Sequence, residues 1–463
     1  MSGVPADPVT EDYLRRCAGG DRGLLDAMAA ARLPAALTAS MRGRFLPRPM
    51  FVPDTEILGF AERINALFDL IVSVPDRFFD GDRERYAAAV GLDGRRAAYL
   101  ARFTDRPQRY GRADLYHDGS AFRLLEFNVG SALGGMDRAQ ISAALLQVPA
   151  FKEFAAEHRL DFVDTGARVD RALRAAARPV CGDRAPVVAF VDGNGAMAPY
   201  LHLATSFQEM LAGFGVEVLL GELADVGFAA GRVTLHGRAV DLVLRYFGVG
   251  DFLDDPAGRR TVDALVDADA DGTVVLYTSL AGELYNNKTS LALLAELAGR
   301  GELTPAETGL VDSVLPWTRT VTSDLFGECA ARRGELMLKP GADFGGTGIV
   351  AGWLVDDDQW RRALRLAADH GSIVQRRVVP RGEPVIDPST GQRRDWHAVW
   401  DCFLTPEGYA GSHIRALPAG EGAVIGMGVT AAARTTGIFY HPVAADHPRR
   451  PATPDRTMPS FGR

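Results

Sequence analysis

The sequence predicts a protein of mixed α+β and α/β class with more than one subdomain. Three observations predict this class. The first 110 residues carry apolar side chains at helical spacing, residues 186–250 alternate strand, helix and strand, and residues 112–130 alternate as a β-hairpin does. At 463 residues the chain exceeds the usual size of one hydrophobic core, so we expect two or three subdomains.

Composition excludes several classes of function. Hydrophobic residues make up 47% and charged residues 24% of the chain, as in ordinary globular proteins. The net charge of −8 argues against a nucleic-acid-binding surface. No apolar run approaches the roughly 20 residues that span a bilayer, and neither a signal peptide nor a Cys-x-x-Cys pair is present. We therefore expect a cytoplasmic protein without membrane or nucleic-acid partners.

The N-terminal segment, residues 1–110, is predicted to form a layer of helices. Apolar residues recur there at helical spacing, with a break where two glycines occur close together. No residue pattern in the segment indicates catalysis or ligand binding, so we interpret it as a layer of helices that packs against the rest of the protein. The helical stretches are 13–31, 55–72 and 84–100, the last one broken at Gly91 and Gly94.

A predicted hairpin follows at 112–130, and its polar residues alternate with apolar ones on both strands. Whether the two polar sets share a face depends on the length of the loop between the strands. A two-residue loop would place them on opposite faces. A three-residue loop at 118–120 pairs position 112 with 126 and position 114 with 124, and we predict this loop. The shared face would then carry Arg112, Asp114, Glu126 and Asn128.

Two carboxylates and an amide oxygen on one face are the hard ligands that Mg²⁺ prefers. The sequence therefore places Asp114, Glu126 and Asn128 as candidate metal ligands, with the cation Arg112 beside them. A solvated strand face with cross-strand ion pairs is the alternative, and this stretch alone favours that alternative.

The region 186–250 predicts a small α/β domain with a parallel sheet. A strand at 187–191, a helix at 197–213 and a strand at 216–220 follow one another, and His236-Gly237 marks a hairpin turn. The pair Gly193-x-Gly195 is too short for a dinucleotide fingerprint. Lys288 then lies at the start of a predicted helix, where an anion is favoured, but this position alone is better explained by a solvated lysine.

A second informative stretch covers 335–350. A strand ends at Lys339-Pro340, and a glycine-rich loop with Gly345 and Gly346 follows. Glycines let backbone N–H groups approach phosphate oxygens. The loop does not follow the Walker pattern, and a plain hairpin tip is an alternative interpretation of these residues. Later strands carry Gln375 and Arg415, and the region from about residue 431 is predicted to be irregular.

Together these motifs resemble the circularly permuted branch of the ATP-grasp superfamily, which contains glutathionylspermidine synthase and related bacterial ligases. That family carries Arg-x-Asp followed by Glu-x-Asn twelve residues after the Asp, as Arg112-x-Asp114 and Glu126-x-Asn128 do here. Each motif alone is weak, but the set in this order, over roughly residues 110–430, is fairly specific. The remaining matches are Asn287-Lys288, Lys339-Pro340 with Gly345-Gly346, Gln375, and Gly411 to Arg415.

The resemblance implies an ATP-grasp fold in circularly permuted order. Its implied domains are a helical layer at 1–110, a metal-binding hairpin with the following helix at 111–180, a pre-ATP-grasp α/β domain at 181–272, nucleotide-binding subdomains at 273–430 and a C-terminal tail at 431–463. The N-terminal layer and a helix predicted at 138–158 offer surfaces for a homodimer.

The resemblance also implies an activity. It is that of an ATP- and Mg²⁺-dependent ligase that joins a carboxylate to an amine, such as amino acids or short peptides, through an acyl phosphate. The implied roles are Mg²⁺ binding by Asp114, Glu126 and Asn128, ATP binding by Lys288, Lys339, Gly345, Gly346 and Gln375, transition-state stabilisation by Arg112 and substrate binding by Arg415. A kinase with another acceptor and a non-catalytic nucleotide-binding scaffold remain open.

Two departures from the family limit these expectations. The family's loop often reads Gly-Arg-Glu-Gly, whereas this chain has Asp343-Phe344-Gly345-Gly346, so one side-chain contact to phosphate is missing. The sequence upstream of the hairpin is also too short for the amidase domain of the bifunctional synthetases. We therefore expect no hydrolysis of the product and a role in specialised metabolism.

An ordinary structural role is an alternative explanation for both Arg415 and Arg245.

Overall fold

The protein is described here from a computed structural model, which covers residues 7–341, 348–428 and 430–443. Within these ranges the chain forms five β-sheets with helices packed against them. This confirms the mixed α and β class. In the same ranges, none of the helices combines the length and the apolarity needed to cross a bilayer.

The N-terminal segment is mainly helical, as predicted, although the helix expected at 55–72 extends to Phe78. The helix expected at 13–31 is divided, because Gly19-Gly20 ends the first helix at Ala18. One short strand also occurs, which the helical spacing did not indicate. The elements are α1 (Pro8–Ala18), α2 (Arg22–Leu25), α3 (Ala27–Ala30), α4 (Ala35–Met41), β1 (Met50–Pro53), α5 (Asp54–Phe78), α6 (Arg83–Ala89) and α7 (Gly94–Leu100).

The hairpin follows as predicted, and three helices come after it. The helix expected at 138–158 is broken in two, because Pro149 lacks an N–H and opens a new helix instead of continuing the old one. The sequence reading missed the third helix. The elements are β2 (Gly111–His117), β3 (Phe122–Val129), α8 (Ala139–Leu145), α9 (Pro149–Glu157) and α10 (Thr165–Cys181).

The next segment forms the predicted α/β unit. Its four-stranded sheet is parallel, in the order β10-β9-β4-β5. The chain after the turn His236-Gly237 forms two strands, of which one closes the hairpin and the other joins the parallel sheet. The elements are β4 (Val187–Asp192), α11 (Met197–Gly213), β5 (Glu217–Glu222), β6 (Val226–Ala229), β7 (Arg232–Leu235), β8 (Arg238–Ala239), β9 (Leu242–Arg245), α12 (Val249–Phe252), α13 (Pro256–Ala270) and β10 (Val275–Tyr277).

The rest of the described chain contributes two antiparallel sheets. One has the order β11-β14-β12-β13; the other has the order β18-β17-β16-β2-β3, with β15 on β16. The elements are α14 (Lys288–Gly299), α15 (Pro305–Val314), β11 (Thr318–Thr320), α16 (Phe326–Ala331), β12 (Leu336–Lys339), β13 (Val350–Ala351), α17 (Asp357–Asp369), β14 (Ile373–Arg376), β15 (Glu383–Ile386), β16 (Arg393–Thr405), β17 (Gly408–Pro418), β18 (Arg434–Thr436) and β19 (Ile438–His441).

The prediction of irregular chain from residue 431 is wrong for residues 434–441. Strand β18 pairs with β17, and β19 pairs in parallel with β1, so that Met50 lies opposite Ile438. Phe439 is fully buried there. Such short strands carry little periodicity of their own, and their pairing with distant segments stabilises them. Residues 444–463 lie outside the described chain.

The largest hydrophobic core positions the hairpin. Ala113 and Leu115 of β2 point into this core, together with Leu124 and Phe127 of β3 and Trp400 of β16. Because side chains of a strand alternate between faces, the polar residues of β2 lie on the opposite side. The core therefore determines which face of the hairpin carries the candidate site.

Candidate active site

The polar residues of the hairpin do share one face. Arg112 lies opposite Asn128, and Asp114 lies opposite Glu126. Directly paired residues of an antiparallel ladder point to the same side of the sheet. The structure thus brings the four residues together as the sequence predicted.

The strand pairing that produces this arrangement differs from the prediction. The loop has four residues, with His117 opposite Phe122, and this register alone would place Glu126 on the wrong face. A β-bulge between the pairs 114–126 and 115–124 inserts Leu125 and restores the shared face. The three-residue loop and its pairs 112–126 and 114–124 were therefore wrong. A bulge depends on the neighbouring strand and the core, so local alternation does not reveal it.

A third carboxylate joins the site from the neighbouring strand. Asp401 of β16 lies opposite Asp114 on one side and opposite His413 of β17 on the other. Asp401 is fully buried. The sequence analysis did not select Asp401, although an aspartate within the apolar run of β16 is a signal that could have identified it.

Two arginines bridge the carboxylates. Arg112 donates from Nε to Asp114 at 2.7 Å and from Nη1 to the carbonyl of Gly134 at 3.0 Å. Arg415 donates from Nη2 both to Asp114 and to Asp401, each at 2.7 Å. Both oxygens of Asp114 are therefore engaged, and the network links three adjacent strands.

The network shifts the pKa values of its members in opposite directions. Burial raises the pKa of Asp114, and the nearby arginines only partly offset this effect. The pKa of Asp401 lies well below its usual range, because Arg415, Arg112 and His413 outweigh its burial. Burial also lowers the pKa of His413 to about 4.

His413 lies close to both Asp401 and a glycine. Its Nδ1 is 2.6 Å from Asp401 Oδ2, although the contact lacks the angle of a hydrogen bond. A Cβ on Gly135, whose φ is 98°, would lie 2.6 Å from the same nitrogen. The backbone can therefore pass over the imidazole only because residue 135 has no side chain.

Two lysines reach the same face of the hairpin from other elements. Lys288 begins α14 after the cap Asn287, and its Nζ lies 3.2 Å from Glu126. Lys339 ends β12 and donates from Nζ to the carbonyl of Leu125 at 3.1 Å. Both lysines are only 5% exposed. The bulge residue thus serves as a contact for one of the two predicted ATP-binding lysines.

Gln375 lies next to Lys339. Its Oε1 accepts a hydrogen bond from Lys339 Nζ at 2.6 Å, and its Nε2 donates to Thr318 at 3.1 Å. Gln375 is therefore part of the lysine environment. Gly345 and Gly346 fall outside the described residues, so their predicted role in ATP binding stays a prediction.

Two further residues are structural. Arg245 is fully buried and donates to the carbonyls of Thr278 and Phe247 and to Glu283. Cys402 is buried in the core.

A cavity lies beside this ionic network. Its empty volume is about 530 Å³, including the part that opens to solvent. Residues 131–138 after the hairpin form one wall, and the carboxyl ends of β4 and β9 with α11 form the other. Its wall includes Gly134, whose carbonyl accepts the hydrogen bond from Arg112. Cavity and network are therefore neighbours.

The donor set of the hairpin fits a hard divalent cation. Glu126 is partly exposed and pairs with Lys288, while Asn128 is half-buried on the same face. Carboxylate and amide oxygens suit Mg²⁺. Asp114 completes the predicted set, but its oxygens are held by the two arginines.

Comparison with known proteins gives a likeness of fold. The sequence matches no protein-family model and no curated protein. A glutathione synthetase-like effector from Globodera pallida, in its apo form, superposes with a TM-score of 0.52 at 12% identity over 86% of this chain and 90% of that chain.

Two other solved structures are less similar. A putative gamma-glutamylcysteine synthetase from Methylobacillus flagellatus gives a TM-score of 0.41 at 13% identity, over 80% of this chain and 87% of that chain. D-alanyl-alanine synthetase A from Vibrio cholerae gives a TM-score of 0.27 at 11% identity, over 49% of this chain and 86% of that chain. The fold of this chain is thus like that of the glutathione synthetase-like effector.

Proposed function

We propose that this protein is an ATP- and Mg²⁺-dependent ligase that joins a carboxylate to an amine. The fold likeness to a glutathione synthetase-like effector and the resemblance of the motifs to those of ATP-grasp ligases support the proposal. The single observation that carries it is the convergence of two buried lysines, from separate elements, on the acidic face of the hairpin.

Burying the ammonium group of a lysine costs free energy unless a nearby negative charge compensates it. Burial lowers the pKa of Lys339 to about 8, against the attraction of Glu126. Glu126 is the carboxylate that Lys288 contacts, and it lies next to the bulge residue that Lys339 contacts. A triphosphate placed against both ammonium groups would bring further negative charge to this cluster.

The residues of the hairpin would hold the metal. Glu126, Asn128 and Asp114 offer oxygens on one face, and Mg²⁺ bound there would neutralise charge on the ATP phosphates. Asp114 would have to exchange a contact with an arginine for the ion, while the other two need no such exchange.

The arginines would act on the reacting carboxylate. Arg112 has five N–H groups, and three of them are used by Asp114 and Gly134 within the described chain. The others are available to a substrate carboxylate and to the oxyanion that develops on it. Arg415, held by two aspartates, would position Arg112 and Asp114, and direct substrate contact by Arg415 stays a prediction.

The proposed reaction has two steps. A carboxylate oxygen attacks the γ-phosphorus of ATP, which gives an acyl phosphate and ADP. An amine then attacks the acyl carbon, the C–O bond to phosphate breaks, and phosphate and a proton leave as the amide forms. Exclusion of water by closure over the site would protect the acyl phosphate.

The test is ADP release with Mg²⁺, ATP and a mixture of amino acids. We expect release to need both the metal and the amino acids, and to fall by about 10²-fold or more in Glu126→Ala. Glu302→Ala, which removes an exposed glutamate that pairs with Arg300, is the matched control and should leave release unchanged. Release without an acceptor would instead indicate idle hydrolysis, and ATP binding without turnover would indicate the scaffold.

A further inference from the structure

We infer that the cavity beside Arg112 binds an α-amino acid with an uncharged, apolar side chain, as the substrate that contributes the carboxylate. The inference rests on the proposed ligase function for the role of that carboxylate. Four features support it: apolar walls, the nearby Arg112, a buried carboxylate in the wall and a buried N–H donor there without a partner among the described residues.

The walls are apolar and aromatic. Tyr246 stacks on Phe190 with ring centroids 4.7 Å apart, and Phe190 packs against Phe207 at 5.8 Å. Met136 and Leu133 line the opposite side. A charged side chain would lose its hydration against such walls, whereas an apolar one would gain by burial.

Arg112 lies behind the wall at Gly134. Its Nη1 donates to the carbonyl of Gly134, a wall residue, at 3.0 Å. A Cβ on Gly134 would lie 3.9 Å from the hydroxyl of Tyr246, so the backbone, the phenol and the guanidinium are close together. A substrate carboxylate near Gly134 would be attracted by Arg112, which has N–H groups that the described residues do not use.

Asp192 places a negative charge in the same wall. It ends β4, is 5% exposed, and accepts a hydrogen bond from the Gly193 N–H at 2.8 Å. The other acid in the wall, Asp137, is already paired with Arg138 and also accepts from the Ser206 hydroxyl. Asp192 is therefore the wall carboxylate suited to a substrate ammonium group.

An unsatisfied donor marks the cavity as a binding site. Arg138 lies in the wall and is only 5% exposed, and its Nε has no hydrogen-bond partner within the described residues. Buried N–H groups are almost always paired in folded proteins. A polar atom of a bound molecule would satisfy this donor.

Isothermal titration calorimetry on the full chain tests the inference without turnover. The probes are L-leucine and L-phenylalanine against L-glutamate and L-lysine, with 4-methylpentanoate as the analogue of leucine that lacks the ammonium group. We expect the apolar amino acids to bind about tenfold or more tightly than the charged ones, and 4-methylpentanoate to bind more weakly than leucine.

Two variants locate the site. Ala204→Trp fills the cavity and should abolish leucine binding, whereas Ala212→Trp on the exposed side of the same helix should leave it unchanged. If Ala204→Trp does not fold, Asp192→Asn serves instead. That variant should bind leucine no more tightly than 4-methylpentanoate.

The outcomes separate the two proposals. Tighter binding of L-glutamate or L-lysine, or binding of none of the probes, overturns the apolar amino-acid site whatever the ADP assay shows. Leucine binding that Ala204→Trp leaves intact also overturns it. Selective leucine binding without leucine-dependent ADP release supports the site and overturns its role as carboxylate donor.

Discussion

At the scale of single residues, the site depends on a buried balance of charge. Asp401 faces two arginines and a histidine; Asp401 and the histidine are buried, and the side chains of Arg112 and Arg415 are only 16% and 15% exposed. Removing one partner of such a set leaves the others buried without compensation. Asp401 is thus a positioning residue for Arg112 and Arg415.

We expect Asp401→Asn to lower the free energy of unfolding by about 3–5 kcal/mol, because two buried guanidinium groups would then share only Asp114. Urea denaturation followed by circular dichroism measures the change. Asp395→Asn, on an exposed position of the same strand, is the control and should fall within about 0.5 kcal/mol of the parent. An equal effect of both substitutions would contradict this account.

Under the proposed function, Lys339 would make the use of ATP depend on pH. Its pKa is lowered to about 8, mainly by burial, so the free protein holds this cation below pH 8 and loses it above. We therefore expect kcat/KM for ATP to fall by up to about tenfold per pH unit above that value. Initial rates at saturating amino acid over pH 6.5–10 measure the profile.

Lys339→Arg supplies the comparison for the pH profile. An arginine keeps its charge throughout this range, so the fall above pH 8 should disappear even if the activity at neutral pH is lower. If the arginine variant shows the same decline as the parent, another group titrates and the assignment to Lys339 is wrong.

At the scale of elements, helix α14 positions Lys288, one of the two lysines proposed to bind the phosphates of ATP. Asn287 caps this helix, and its side-chain oxygen accepts from the Ser290 N–H at 2.8 Å and from the Ser290 hydroxyl at 2.9 Å. Lys288 is the first residue of the helix, so the cap and the predicted ligand are adjacent. The cap therefore contributes both to helix stability and to the direction of Lys288.

We expect Asn287→Ala to lower the free energy of unfolding by about 1 kcal/mol and to raise KM for ATP. Thr304→Ala removes the capping box of α15, away from the site, and is matched in chemistry. It should lower stability by a similar amount without changing KM. Thermal melts and ATP saturation curves measure both effects, and equal KM values in the two variants would refute a positioning role for the cap.

At the scale of the whole molecule, the described C-terminal strands join the N-terminal segment to the rest. Phe439 of β19 is fully buried and packs against Phe151 of α9 at 5.0 Å and against Phe162 at 5.9 Å. The same strand pairs with β1. Segments nearly 400 residues apart thus share one core.

We expect Phe439→Ala to lower the free energy of unfolding by about 3–5 kcal/mol, because it leaves a cavity where three parts of the chain meet. Val443→Ala, at a position that is 53% exposed, should change it by less than about 0.5 kcal/mol. Urea unfolding measures both variants. A small loss for Phe439→Ala would show that these segments fold independently of the strand.

The sequence by itself determined the local features. Alternation identified the hairpin and the polar residues on it, helical spacing located much of the N-terminal layer and α11, and the strand–helix–strand order predicted the parallel sheet. These features follow from periods of two and of 3.6 residues, which a single segment already contains.

The tertiary structure decided which distant segments of the chain come together. The bulge at Leu125, the pairing of Asp401 with Asp114, and the pairing of β19 with β1 each depend on a neighbouring strand that is remote in sequence. The cavity beside Arg112 arises in the same way, between the chain after the hairpin and the parallel sheet. Such contacts reflect packing between elements, and no local period records which elements will meet.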